Sequence, residues 1–384
     1  MHATPQTHHR HLPIAIVGGG IIGLSIGWQL LRRGEEVTIF ERGHTGSEAS
    51  WVAGGLLGPH SEVGFEDEAF LRAAVLSLER YTAFLDELSE DTGERIPLDA
   101  RGTLMVAFDR DDAERIRRLY EFRMHLGLPV QWLQGGEVRE REPLLSPRVT
   151  GAISLPDDSQ VNNRRLVGAL KTAFIKRGGT VRENTPVTSI TIRGDRAVGV
   201  VTAEGESASQ CVVLAAGCWS GQIDGIPPAL RPPVRPVKGQ IASLRQSDDV
   251  TFASVIRSPD IYIVPKDDGR LIVGATQEEK GFDKTPTAGE VMRLLERAWE
   301  AVPSIYDLPI DSIDVGLRPG SRDHMPIIGA APINDLYYAT GHFRHGILLA
   351  PLTAYAMRDL IVDGKTMDCL LPFAASRFTT RPAM

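Results

Sequence analysis

The segment that most constrains this fold is a short apolar run closed by glycines, Ile14-Ala-Ile-Val17 followed by Gly18-Gly19-Gly20-Ile21-Ile22-Gly23. Such a run predicts a buried parallel strand. From Ile21 to Arg33 apolar residues recur at 21, 24, 28 and 31, the helical period, and Gly34 closes the helix. Val37 to Phe40 supplies a second strand, and Glu41 puts an acid at its end. Strand, glycine turn, helix, strand and acid in this order predict a βαβ unit that holds a dinucleotide. Gly18, Gly20 and Gly23 divide the work of turning tightly, admitting a pyrophosphate and packing helix on strand. The helix N-terminus at Ile21 and Ile22 offers N–H groups and a positive dipole end to the phosphates. Glu41 accepts hydrogen bonds from ribose hydroxyls, and Arg42 contacts the adenosine side.

This motif does not separate NAD from FAD. Other features favour FAD. The loop Ala49-Ser50-Trp51-Val52-Ala53-Gly54-Gly55-Leu56 follows the second strand at once, where a flavin's ribityl and pyrophosphate must run. Its small residues suit backbone lying close to a ligand. Val187 is positioned to meet adenine through its backbone, and the strand ending in Ala215-Ala216-Gly217 offers another close approach.

With 384 residues the chain is long enough for two or three domains. A net charge of −7 argues against a nucleic-acid partner. No apolar run reaches the roughly 18 residues of a membrane span; the longest, Gly346 to Met357, contains Pro351. Residues 1–11 carry His2, His8, His9 and His11 but read as a disordered tail, not a metal site. Cys211, Cys218 and Cys369 show no metal-ligand spacing, so no metal is expected, and a reducing, cytoplasmic setting fits.

Further along, one long helix is expected from Asp67 to Glu90, then a strand Leu104–Ala107, a helix Asp111–Leu126 and a strand Val130–Leu133. A helix Asn163–Arg177, a hairpin over 186–202 and a strand Gln210–Leu214 follow. Strands 240–244, 254–257, 261–265 and 270–275 read as antiparallel, with Lys266-Asp-Asp-Gly269 as a hairpin turn. Thr287–Ala301 is a helix, Leu336–Ala339 a strand, and Ile347–Val362 a helix interrupted near Pro351. The fold class is α/β with α+β insertions. A Rossmann-like domain, discontinuous over 12–90, 151–225 and 310–370, is joined by a mostly antiparallel substrate domain over 91–150 and 226–309.

Several later strings resemble the D-amino-acid oxidase and glycine oxidase family of FAD enzymes. They are Pro236-Val-Lys-Gly239, Tyr262-Ile-Val-Pro265, Val273-Gly-Ala-Thr276, Gly316-Leu-Arg-Pro-Gly320 and Gly341-His-Phe-Arg-His-Gly-Ile-Leu-Leu-Ala-Pro351. The resemblance implies that Arg318 pairs with a substrate carboxylate and that Tyr262 donates its hydroxyl to it. It also implies that Arg344 touches both substrate and flavin, within a flavin-contacting stretch of His342, Phe343, Arg344, His345, Gly346, Ile347 and Leu348. FAD is expected to be non-covalent, since no cysteine stands near Gly316-Leu317-Arg318. The implied reaction is oxidative deamination of glycine or another small amine by hydride transfer to flavin N5. It gives an imino acid, then oxo acid and ammonia, with dioxygen reduced to hydrogen peroxide and thiazole synthesis as an outlet. Relatives are often homotetramers, so a homo-oligomer is implied. Gln277 stands where relatives often carry Met, and Asp260 where a His is expected, so substrate range is open. A quinone-linked D-amino-acid dehydrogenase and a sarcosine oxidase-like enzyme remain alternatives, as do an NAD-dependent dehydrogenase and a non-catalytic nucleotide sensor.

Overall fold

The strand Ile14–Val17 sits at the centre of a six-stranded sheet, between Val37–Phe40 and Val212–Leu214. The computed structural model describes residues 12–62 and 68–378; the tail read as disordered lies outside them. Sheet order runs Ile327–Ala330, Leu336–Thr340, Val212–Leu214, Ile14–Val17, Val37–Phe40, Thr180–Arg182, parallel except for the first pair. All four residues of the central strand are buried, as its unbroken apolar run requires. The helix Ile21–Arg32 packs on the helices Asn163–Lys176 and Gly346–Asp363.

The eight-stranded sheet runs in the order Ile310–Gly320, Arg235–Arg245, Arg270–Gly274, Tyr262–Pro265, Val255–Arg257, Thr103–Ala107, Gly151–Leu155, Gln131–Gln134. Its pairings are antiparallel except Val255–Arg257 with Thr103–Ala107. One face buries Leu294, Ala298 and Ala301 of the helix Ala288–Ala301. Two stretches expected in the nucleotide part, residues 151–155 and 310–320, are strands of this sheet.

Two helices differ from expectation for one shared reason. The helix Gly346–Asp363 is continuous, although Pro351 lies within it. Proline lacks the N–H that would bond the Ile347 carbonyl. The buried hydroxyl of Tyr81 donates to that oxygen instead, at 2.6 Å. Next to it Ser77 donates to the Leu348 carbonyl at 2.6 Å and accepts from the Leu352 N–H at 3.3 Å. The expected single helix from Asp67 to Glu90 is in turn two, Glu68–Glu79 and Tyr81–Thr92, meeting at Arg80. The Arg80 N–H bonds Ser77 O, a tightened turn that aims Ser77 and Tyr81 at the proline helix together.

Candidate active site

A cavity of about 680 Å³ is lined from both large sheets. Every residue expected to meet cofactor or substrate lines it except Gly23 and, in the loop 49–56, the exposed Trp51. A Cβ at Gly23 would stand 2.0 Å from the Gly18 carbonyl oxygen, so this glycine closes the turn from behind.

At the nucleotide end, Gly18 has φ +109° and packs on the neighbouring strand end: a Cβ there would lie 2.4 Å from the Ala215 oxygen. Only glycine meets both demands. The Glu41 carboxylate accepts from the Gly19 N–H at 2.8 Å and the Gly43 N–H at 2.9 Å, so it shapes the turn as well as facing the cavity. The first helix has no side-chain N-cap, and the Ile21 N–H bonds the Ser50 hydroxyl at 3.0 Å. Arg42 stacks 3.5 Å over the ring of Trp219 and pairs with Glu48 at 2.8 Å. Gly55, at φ +70°, lies against the Val161 carbonyl, where a Cβ would approach to 2.2 Å. Val187 and Gly217 complete this end.

At the other end, Tyr262 and Arg318 come from strands of the eight-stranded sheet. Glycines make their room. A Cβ at Gly239 would stand 2.2 Å from Arg318 Nη1, and one at Gly274 2.5 Å from the Tyr262 hydroxyl. Gly54 lies under the same tyrosine ring. Arg318 donates to the Thr276 carbonyl at 2.9 Å and forms no ion pair among the described residues. Burial pushes the Arg318 pKa down and the Tyr262 pKa up, while each partly offsets the other's shift.

The sequence reading missed Glu62 and Arg257, which line the same end. Glu62 bridges Arg257, through a short charge-assisted bond, and Arg344, at 2.8 Å. Burial alone would raise the Glu62 pKa, but Arg257, Arg344 and His345 outweigh it and hold the carboxyl well below its usual range. Arg257 is raised in return: Glu62 overcomes the effect of its burial. No motif marks either residue, because the sheet and the short helix Pro59–Glu62 meet only on folding. His342 and His345 are buried, which pushes each down to about 3, so both are neutral near pH 7. His345 ends beside Phe70, with ring centroids 4.3 Å apart, and Gly346, Ile347 and Leu348 open the long helix onto the cavity. Gln277 and Asp260 also line it. Cys211 and Cys218 are buried and pushed up to about 12 by burial, whereas Cys369 is partly exposed.

Residues 13–360 match the family model described as DAO, FAD dependent oxidoreductase. The chain belongs to this family. Within the DAO family it is 38% identical to a glycine oxidase of Geobacillus kaustophilus, over 96% of this chain and 97% of that protein. It is 34% identical to a bifunctional ThiO/ThiG protein of Synechocystis, of which it covers 54%. The crystal structure of the G. kaustophilus glycine oxidase superposes with a TM-score of 0.90 at 36% identity, covering 96% of this chain and 99% of that one. An iminodiacetate oxidase from Chelativorans superposes at 0.85 with 26% identity, covering 94% and 98%. This DAO-family chain is therefore an FAD-dependent oxidoreductase of the glycine oxidase type with the family's mixed α/β fold, and the glycine cradle around Gly18 and Gly55 suits that cofactor. No helix among the described residues is long and apolar enough to cross a membrane.

Proposed function

We propose that this chain oxidises the amine of a small amino acid, glycine first among them, to its imino acid with dioxygen as acceptor. The observation that carries the reading is Arg318, a half-buried guanidinium lining the cavity with no ion-pair partner among the described residues, beside the hydroxyl of Tyr262. A partly desolvated cation without an anion is costly, and a substrate carboxylate held by two parallel bonds removes that cost. FAD, when bound, supplies the hydride acceptor and the route of electrons to dioxygen.

The protein's part is placement and electrostatics. Gly18, Gly20, Ile21, Ile22, Ser50, Gly54 and Gly55 would hold the pyrophosphate and ribityl chain, Glu41 the ribose, and Arg42 and Val187 the adenosine side. Within the segment 342–348, Gly346, Ile347 and Leu348 would present backbone N–H groups to the flavin from the positive end of an 18-residue helix. Arg318 and Tyr262 fix the carboxylate, so the α-carbon has one orientation. Arg344 closes the substrate side, steadied by Glu62. The amine sheds its ammonium proton to water, and no side chain is assigned as base. Neutral His342 and His345 leave the charge there to the arginines. Thiazole synthesis is the proposed outlet of the imino acid, supported by the ThiO/ThiG likeness. A cytoplasmic setting is supported by three unpaired cysteines.

The test is the absorbance of the purified protein before and after anaerobic glycine, then D-alanine and sarcosine. Bleaching by glycine, reversed on air with peroxide release, is expected. Bleaching that air does not reverse, but a quinone does, would replace the oxidase with a dehydrogenase. Bleaching by none of the three would refute the substrate class and leave the cofactor in place.

A further inference from the structure

Residues 278–287 leave the substrate end and reach across to the nucleotide end. Their two ends are rooted in buried groups. Lys238 exchanges both backbone bonds with Glu278 at 2.9 Å. Its fully buried side chain clasps Asp283 at 2.9 Å and the Thr285 carbonyl at 2.6 Å. Gln240, also fully buried, donates to Glu278 at 2.8 Å and accepts from the Thr287 N–H at 2.9 Å.

The middle of the segment rests on the other part of the molecule through two contacts. Phe282 packs on Trp219 with ring centroids 5.6 Å apart, and Lys284 pairs with Glu48 at 2.9 Å. Trp219 and Glu48 are wall residues of the cavity, whereas Phe282 and Lys284 are not. They press on the wall from outside. Trp219 and Glu48 also hold Arg42 between them, by stacking and by charge. Phe282 stays 39% exposed, so its burial adds little to the core, and Glu48 already has a cation in Arg42. Both contacts are better explained by what they do to the wall.

We propose that residues 278–287 form a strap that retains FAD, with Phe282 and Lys284 as positioning residues acting through Trp219 and Glu48. The strap shares its roots with the carboxylate seat: Arg318 donates to the carbonyl of Thr276, two residues before the segment begins. The inference depends on FAD filling the cavity and not on which amine is oxidised.

The test is the rate of FAD release from the holoenzyme, followed as the rise in flavin fluorescence on dilution. One aromatic pair and one exposed ion pair set the scale, so the Phe282→Ala/Lys284→Ala double variant should release FAD roughly tenfold faster. The Phe282→Trp/Lys284→Arg pair, which keeps ring and charge, should return the rate to within about twofold of the parent. A merely structural role would lower the melting temperature of the apoprotein and leave the release rate alone. Release by the alanine double variant within about twofold of the parent overturns the proposal, and so does failure of the conservative pair to restore it. If the double variant does not fold, Lys284→Gln alone carries the test: release about threefold faster supports the strap, and an unchanged rate overturns it.

Discussion

Gly239→Ala should disable the substrate seat without touching the arginine that forms it. The added methyl would stand 2.2 Å from Nη1 of Arg318 and 2.5 Å from Cζ. Carbon atoms need about 3.5–4.0 Å, so the guanidinium must retreat by roughly 1 Å or more. It is the far end of a flexible side chain, so the retreat costs little stability. Its 2.9 Å bond to the Thr276 carbonyl is lost or redirected. A misplacement of about 1 Å in a positioning group costs on the order of a hundredfold in rate, equal to about 2.7 kcal/mol. Removing one partner of a buried charge pair costs about 2–5 kcal/mol, which brackets that figure. The assay is kcat/KM for glycine, with the flavin spectrum and melting curve of the same sample. The expected result is bound flavin, a Tm within about 2 °C of the parent, and kcat/KM about a hundredfold lower, mostly through KM. A kcat/KM within threefold of the parent would refute the role given to Arg318, because the methyl leaves the guanidinium no room to stay.

Tyr262→Phe keeps the ring over Gly54 and Gly274 but removes the donor, so kcat/KM for glycine should fall roughly ten- to a hundredfold with the flavin spectrum unchanged; no fall would take the hydroxyl out of the site. Tyr81→Phe leaves the Ile347 carbonyl without its donor at a cost of about 1–3 kcal/mol, and calorimetry should show a Tm lower by a few degrees. Asp158 is fully buried, and burial pushes it up to about 6 despite bonds from Ser61, the His60 N–H and Thr103. Its folded-state pKa is raised, so folding favours the protonated form, and the parent loses stability as pH rises from about 4 through 6. Asp158→Asn should therefore gain Tm relative to the parent at pH 8 and lose that advantage by pH 4; an equal difference at both pH values would show that Asp158 does not titrate there. Glu62→Gln leaves Arg257 and Arg344 without their shared anion, so KM for glycine should change severalfold in either direction with FAD retained, and an unchanged KM would make Glu62 a bystander.

The nucleotide end was legible because its signals are local. Strand, glycines, helix and acid lie within residues 14–41, and each element forms as its own pattern demands. The hairpin at 266–269 was legible for the same reason: Gly269 takes φ +78° and Lys266 bonds Arg270 across it. The strand Ile310–Gly320 was not. It carries charges, glycines and Pro319, which locally argue against a strand. It exists because it pairs along its length with Arg235–Arg245, where Pro319 lies opposite Pro236. Two residues without N–H groups thus share one rung of the ladder. The helix Gly135–Arg141 was overlooked although Gln134 and Glu137 form a capping box ahead of it. Arg318, Tyr262 and Arg344 were found through strings resembling a family, whereas Glu62 and Arg257 belong to no string and meet only through tertiary contact.

The six-stranded sheet has a consequence for how the protein is made. Its strands leave the ribosome in the order 14–17, 37–40, 180–182, 212–214 and 327–340, and the helix that opens onto the cavity follows at 346. The glycine turn that emerges first therefore waits for most of the chain before its neighbouring wall exists. Ala215 arrives only after some two hundred residues, and Leu348 more than three hundred after the turn. A nascent chain halted before residue 212 has one flank of its central strand unpaired and no closed cavity, so FAD capture must follow the synthesis of both flanks.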